Sequence, residues 1–115
     1  MNQHLPAALL DALERVKGFD RKAFQQVHAS RELVTSIRLN PFKSPDVETL
    51  LFGEGLGEAV PWCPHGKYLT VRPSFTLDPL LHGGAYYVQE ASSMFLWHAL
   101  EQTIGGKTAG LRVLD

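Results

Sequence analysis

Residues 80–95 read LLHGGAYYVQEASSMF, and this span constrains the chain more than any other. The Gly83-Gly84 pair is a breaker. Ala85 to Val88 is then a short run of aromatic and β-branched residues, the composition of a strand. Gln89 and Glu90 hand over to a helix expected from Ala91. Breaker, strand and helix follow one another with almost no linker between them.

The chain before this span reads in alternating pieces. Leu9, Leu13 and Val16 recur at helical spacing within residues 5–16, Pro6 suits the first turn, and Gly18 can take a left-handed stop. Asp20 is a good N-cap for a second helix over residues 21–29. Phe19 and Phe24 flank that cap at the spacing of a hydrophobic staple. Residues 35–40 alternate, with Thr35, Ile37 and Leu39 on one face and Ser36, Arg38 and Asn40 on the other: a half-buried strand that Pro41 ends. Ser44-Pro45-Asp46 then has the cap, proline and acid of a helix start, with Gly53 as its stop near Phe52. Two short extended runs, residues 59–62 and 67–71, flank a Cys63-Pro64-His65-Gly66 turn, and residues 74–81 read as loop. The helix of residues 91–104 is apolar on most sides, so it is expected to be covered on more than one. After a flexible Gly105–Gly110 turn, residues 111–115 begin a new strand.

The fold expected is α+β. Two N-terminal helices pack on a small mixed sheet, built partly from a strand–helix–strand unit. A linker strand and helix follow. At 44% hydrophobic the chain can bury a real core without staples. It has no apolar run near the ~18 residues of a membrane span. A lone cysteine, Cys63, excludes an internal disulfide and fits a reducing compartment, so the cytoplasm is the expected location. The net charge of −1 gives no basic stripe, so any RNA contact has to be local or shared with another domain.

Three blocks, taken together, resemble the Sun-type (Nop/Nol/NSUN) family of RNA cytosine-5 methyltransferases, in particular its bacterial ribosomal-RNA branch. Tyr86-Tyr87-Val88-Gln89-Glu90-Ala91-Ser92 is similar to a Tyr-Tyr-x-Gln-Glu-x-Ser segment ahead of that family's cofactor-binding fold. Residues 36–43, with Arg38, Asn40 and Lys43, resemble its Arg-x-Asn-x-x-Lys element. Residues 60–69, VPWCPHGKYL, resemble a segment of the bacterial branch. The helices before Thr35 match only in kind.

The resemblance implies transfer of a methyl group from S-adenosylmethionine to carbon 5 of a cytosine. A cysteine thiolate adds to carbon 6, a second cysteine assists release, and an acid holds the ring nitrogen. None of those catalytic blocks is present in these residues. Val113-Leu114-Asp115 is similar to the start of the family's cofactor motif, so Asp115 is a weak cofactor candidate and the chain is expected to be an N-terminal fragment. Residues 1–78 then form an RNA-binding-type domain, and residues 79–115 the start of a truncated Rossmann-like methyltransferase domain. The fragment alone is expected to be inactive and not to bind the cofactor. Its apolar C-terminal helix and strand are expected to drive self-association. The partner implied is RNA, ribosomal RNA or the small ribosomal subunit, with no membrane and no metal. The rival reading is a free-standing RNA-binding or protein-interaction module without catalysis.

Candidate residues carry two readings each. Arg38, Asn40 and Lys43 are either phosphate or ribose contacts or a solvated strand face, with Arg38 pairing an acid such as Glu90. Tyr86 and Tyr87 point to opposite faces of their strand; either stacks on a base if exposed, although packing is the commoner use. Gln89, Glu90, Ser92 and Ser93 gather at a helix N-terminus, where they satisfy that end or, by resemblance, lie beside the catalytic pocket. Cys63 has no evident base or helix start to activate it. Cys63, His65 and His82 lack the fourth ligand and paired spacing of a closed zinc site. Gly106-Lys107-Thr108 mimics a phosphate loop, but Glu101 stands where the upstream glycine belongs.

Overall fold

The computed structural model describes residues 5–43 and 55–114. The expected helix from Ser44 to Phe52 and the cofactor candidate Asp115 lie outside the described residues. The chain forms two compact units, residues 1–33 and 34–115.

The first unit holds α1 (Ala7–Leu13) and α2 (Arg21–Ser30). Pro6 sits just before α1 in extended conformation, one place earlier than a first-turn proline. Asp20 caps α2 as its sequence demands, its carboxylate accepting from the Ala23 backbone N–H at 3.0 Å. Phe19 and Phe24 meet edge to face with ring centroids 5.3 Å apart, which closes the staple. Arg21 reaches back from α2 to Asp11 and Glu14, and their carboxylates raise its pKa further, Glu14 first.

The second unit is a four-stranded sheet of β1 (Thr35–Leu39), β2 (Leu56–Ala59), β3 (Gly66–Leu69) and β4 (Tyr86–Val88), in the order β2-β3-β1-β4. Every pairing is antiparallel, which corrects the expected mixed sheet. β1 and β2 do run in the same direction, as a strand–helix–strand unit requires. β3 is inserted between them, so no parallel pair forms. β2 begins three residues before the expected run; residues 60–62 already belong to the turn, where the Val60 N–H donates to the Gly66 carbonyl at 3.0 Å.

Residues 74–81 are not loop. They hold a 3₁₀ turn (Phe75–Leu77) and the one-turn helix α3 (Pro79–His82). The signature is Asp78-Pro79: a capping carboxylate followed by proline in the first helical turn. This segment covers one sheet face, where Ile37, Leu69, Phe75, Ala85 and Tyr86 form the main core. Asp78 is buried with them, accepting from the Leu80 N–H at 2.9 Å and the Tyr86 hydroxyl at 2.6 Å.

α4 (Ala91–Ile104) starts and stops as expected and lies on the opposite face. It buries Met94 against Val60 and Cys63, with Trp62, Tyr68 and Trp97 around them. Phe95, Leu96 and Leu100 remain exposed, so α4 is covered on one side only among the described residues. Residues 111–114 form no strand; Val113 and Leu114 are open to solvent. A strand needs a neighbour to hold its ladder, and among the described residues this stretch has none.

Candidate nucleic-acid interface

The β1 register decides which candidate residues meet. Arg38 stands opposite Tyr87 on β4 and opposite Gly66 on β3, so all three share the face that α4 partly covers. Glycine at 66 is required by a close approach. A Cβ there would lie 2.6 Å from the Met94 sulfur and 2.8 Å from Val60 Cβ. α4 therefore presses down over β3 and touches β1 as well, and among the described residues it leaves the β4 edge of the face open. Tyr87 is 67% exposed, and Arg38 is half-buried beside it.

No carboxylate pairs with Arg38 among the described residues, so the alternative reading of a brace to an acid such as Glu90 finds no support there. An arginine fork and a free aromatic face thus lie side by side on one pleated surface. That pairing offers a planar cation and a stacking platform together.

The other candidates fall elsewhere. Tyr86 is 2% exposed, and its hydroxyl is spent on Asp78, so no base can reach its ring; it leaves the set of candidate contacts. Burial, and then the Asp78 carboxylate, raise its phenol pKa above the usual value. Asn40 donates through Nδ2 to the Gly84 carbonyl at 2.9 Å and accepts from the Phe42 N–H at 3.0 Å. The Lys43 ammonium donates to the Gly83 carbonyl. Both side chains therefore hold the double-glycine turn against the end of β1. Gly84 has φ +74°, a conformation that side-chain-bearing residues rarely adopt, so the breaker and its two clamps form one device.

Gln89, Glu90 and Ser92 cluster where β4 meets α4. The Ser36 hydroxyl donates to the Gln89 carbonyl at 2.6 Å, and the buried Gln89 Oε1 has no hydrogen-bond partner among the described residues. Glu90 precedes α4 without capping it through its side chain, and Ser92 Oγ donates to Glu90 Oε2 at 3.4 Å. Ser93 is exposed on the first turn of α4, its backbone N–H bonded to the Glu90 carbonyl. Trp62, Tyr68 and Ser36 join Glu90 and Ser92 around a shallow groove. Sequence reading passed over those first three; the aromatic pair flanking the Cys63 turn was the available signal.

Cys63 is fully buried in the turn, its backbone bonded to Val60 and Gly66, which makes it packing. Among the described residues no three His, Cys, Asp or Glu side chains gather as a metal site. None of the described helices is long and apolar enough to cross a membrane.

Residues 5–91 match the family model of the N-terminal domain of the 16S rRNA methyltransferase RsmF. The chain belongs to that family. RsmF is a methyltransferase of the Sun/NOP family, so the family-level resemblance read from the three blocks holds. The match also reaches back to residue 5, through helices that carried no specific motif. Methyltransferases of this family use S-adenosylmethionine. The described residues offer it no built site, since residues 111–114 are an unpaired, exposed stretch and not a sheet end bearing a glycine loop.

Proposed function

We propose that this chain is the RNA-positioning N-terminal part of an S-adenosylmethionine-dependent ribosomal-RNA cytosine-5 methyltransferase. Methyl transfer belongs to the parent protein, and the Rossmann-like catalytic domain begins within residues 79–115. β4 pairs with β1 in one sheet, so a division at residue 78 is one of function and not of packing. On this reading the fragment neither methylates RNA nor holds the cofactor by itself.

The observation that carries the proposal is the open Tyr87 ring beside the half-buried Arg38 on the sheet face. A chain of net charge −1 has no long-range field to gather RNA, so contact depends on local groups of this kind. Tyr87 supplies a ring on which an unpaired base stacks, and Arg38 supplies a fork for the adjoining phosphate. Asn40 and Lys43 support the surface by fixing the glycine turn at the end of β1. The test is titration of the chain with a single-stranded segment of 16S rRNA. Tyr87→Ala is expected to weaken binding roughly 5- to 150-fold, the value of one stacked base. Unchanged affinity would remove the pair from the interface.

A further inference from the structure

On the same sheet face, next to the Arg38 row, lies a groove of about 290 Å³ bounded by Val34, Ser36, Trp62, Tyr68, Glu90 and Ser92. Pockets for drug-sized ligands span ~300–1,000 Å³, so this one suits a single flat ring system and not a whole nucleotide. Its aromatic walls are set in place before any ligand arrives. The Trp62 Nε1–H donates to the Ala91 carbonyl at 2.6 Å, and the ring meets Phe95 edge on with centroids 6.0 Å apart. The Ser36 hydroxyl is committed to the Gln89 carbonyl, which ties the groove's floor to the turn before α4.

The rim is chemically selective. Glu90 has Ser92 as its side-chain neighbour, and no Lys or Arg pairs with it among the described residues. A carboxylate there repels a phosphate, so the nucleic-acid backbone is kept out of the groove. The same carboxylate accepts from an exocyclic amine, as acidic side chains do from cytosine N4. Two aromatic walls with an amine acceptor at the mouth fit the face and edge of one base.

We infer that this groove holds one unpaired, amine-bearing base, cytosine or adenine, of the single-stranded RNA that Arg38 and Tyr87 contact. The inference rests on the RNA-binding reading and adds to it a base pocket and a base class. Arg38 is two residues from Ser36 on the same strand face, about 7 Å along the strand. A strand crossing the sheet thus meets cation and groove in succession.

The chain has two tryptophans, so in a Trp97→Phe background Trp62 alone reports by fluorescence. Oligocytidylate and oligoadenylate are expected to quench Trp62 saturably. Oligouridylate of equal length, which lacks the amine, needs roughly tenfold higher concentration, the scale of one charge-assisted hydrogen bond. Glu90→Gln should erase that preference while leaving the quenching itself. Ser92→Phe, made at an exposed position on the first turn of α4, should fill the groove and abolish quenching without touching the core. An abasic strand of the same length should not quench. Equal quenching by the abasic strand, or an unchanged titration in Ser92→Phe, overturns the inference. If Tyr87→Ala still weakens RNA binding in that event, the RNA reading stands and only the pocket falls; if no RNA binds at all, both fall.

Discussion

Tyr86 and Tyr87 are chain neighbours with the same side chain, yet one is the centre of a core and the other an open ring. The difference is that of the two faces of the sheet. On Tyr86's face, Ile37, Leu39, Leu56, Leu69 and Val88 supply apolar side chains, and the turns from Phe75 to His82 close over them. On Tyr87's face the strands present Ser36, Arg38, Gly66 and Tyr68, and among the described residues a single helix covers part of the surface. Strand alternation decides which residues look outward. Which of those stay open is decided by where α4 lies, and strand periodicity does not contain that information.

The largest effect expected from breaking the closed face comes from Asp78→Ala. Asp78 accepts from the Leu80 N–H and from the buried Tyr86 hydroxyl, so the substitution removes a helix cap and a charge-assisted hydrogen bond in the core. A lost cap costs about 0.5–2 kcal/mol and a lost hydrogen bond to a charged group about 1.5–3 kcal/mol, together roughly 2–5 kcal/mol. The melting temperature should fall by at least about 10 °C. A fall of a degree or two would mean that the face is not held this way. The pH dependence follows from the same contact. Burial and Asp78 raise the Tyr86 pKa in the folded state, so its stabilisation is fully present below the unfolded phenol pKa of about 10. It is lost as pH rises above that value, because the unfolded chain releases the proton first. Tyr86→Phe should flatten this alkaline loss of stability.

Much of this arrangement was legible in the sequence. Asp20 with Phe19 and Phe24, and the start of α4 at Ala91, each rest on a local rule that the structure obeys. The half-buried alternation of residues 35–40 is only partly kept, since Ser36 on the polar face is buried with Thr35 and Ile37. The rest depended on distant contacts. The antiparallel sheet needed β3 to lie between β1 and β2, a choice made by pairing partners 28 to 34 residues apart in sequence, from Arg38–Gly66 to Thr35–Leu69, none of which local spacing encodes. Asp78-Pro79 carried a legible helix start, but the helix is a single turn and its periodicity is too short to see. Asn40 and Lys43 were legible as polar and as family-like; that they clamp Gly83 and Gly84 depends on a turn 40 to 44 residues on. Trp62 and Tyr68 were hidden as site residues because they read as two ordinary aromatics beside a turn.

A smaller loss is expected from Gly66→Ala, which tests how tightly α4 seals its part of the open face. The added methyl would meet the Met94 sulfur and Val60 Cβ at distances no packed carbon tolerates. The thioether can swing aside, whereas Val60 sits on backbone held by its bond to Gly66. Overpacking of this kind costs about 1–3 kcal/mol. RNA affinity of the folded variant should fall as well, since lifting α4 disturbs Trp62 and Tyr68. A melting temperature equal to that of the parent chain would show the helix to be loosely seated, and the distinction between covered and open parts of the face would then fail.

The smallest effect on stability is expected at Arg38, and there the smallness is the point. Arg38 lies between Tyr87 and Gly66 in register, with no carboxylate partner among the described residues. Its replacement by alanine leaves Ile37 and Leu39, on the other face, in their core. The stability change should stay within ~0.5 kcal/mol, as for surface substitutions away from special features. RNA binding should weaken across sequences alike, because a phosphate contact carries no base information. The dependence of log affinity on log salt should become shallower by somewhat under one unit, the share of a single phosphate on a single strand. A brace would behave in the opposite way: breaking a buried ion pair leaves one charge uncompensated and costs ~3 kcal/mol or more. Melting curves and RNA titrations of Arg38→Ala at two salt concentrations separate the two. A fall in melting temperature of 10 °C or so, with the salt slope unchanged, would turn Arg38 from a contact into a strut and leave Tyr87 as the surface's single candidate.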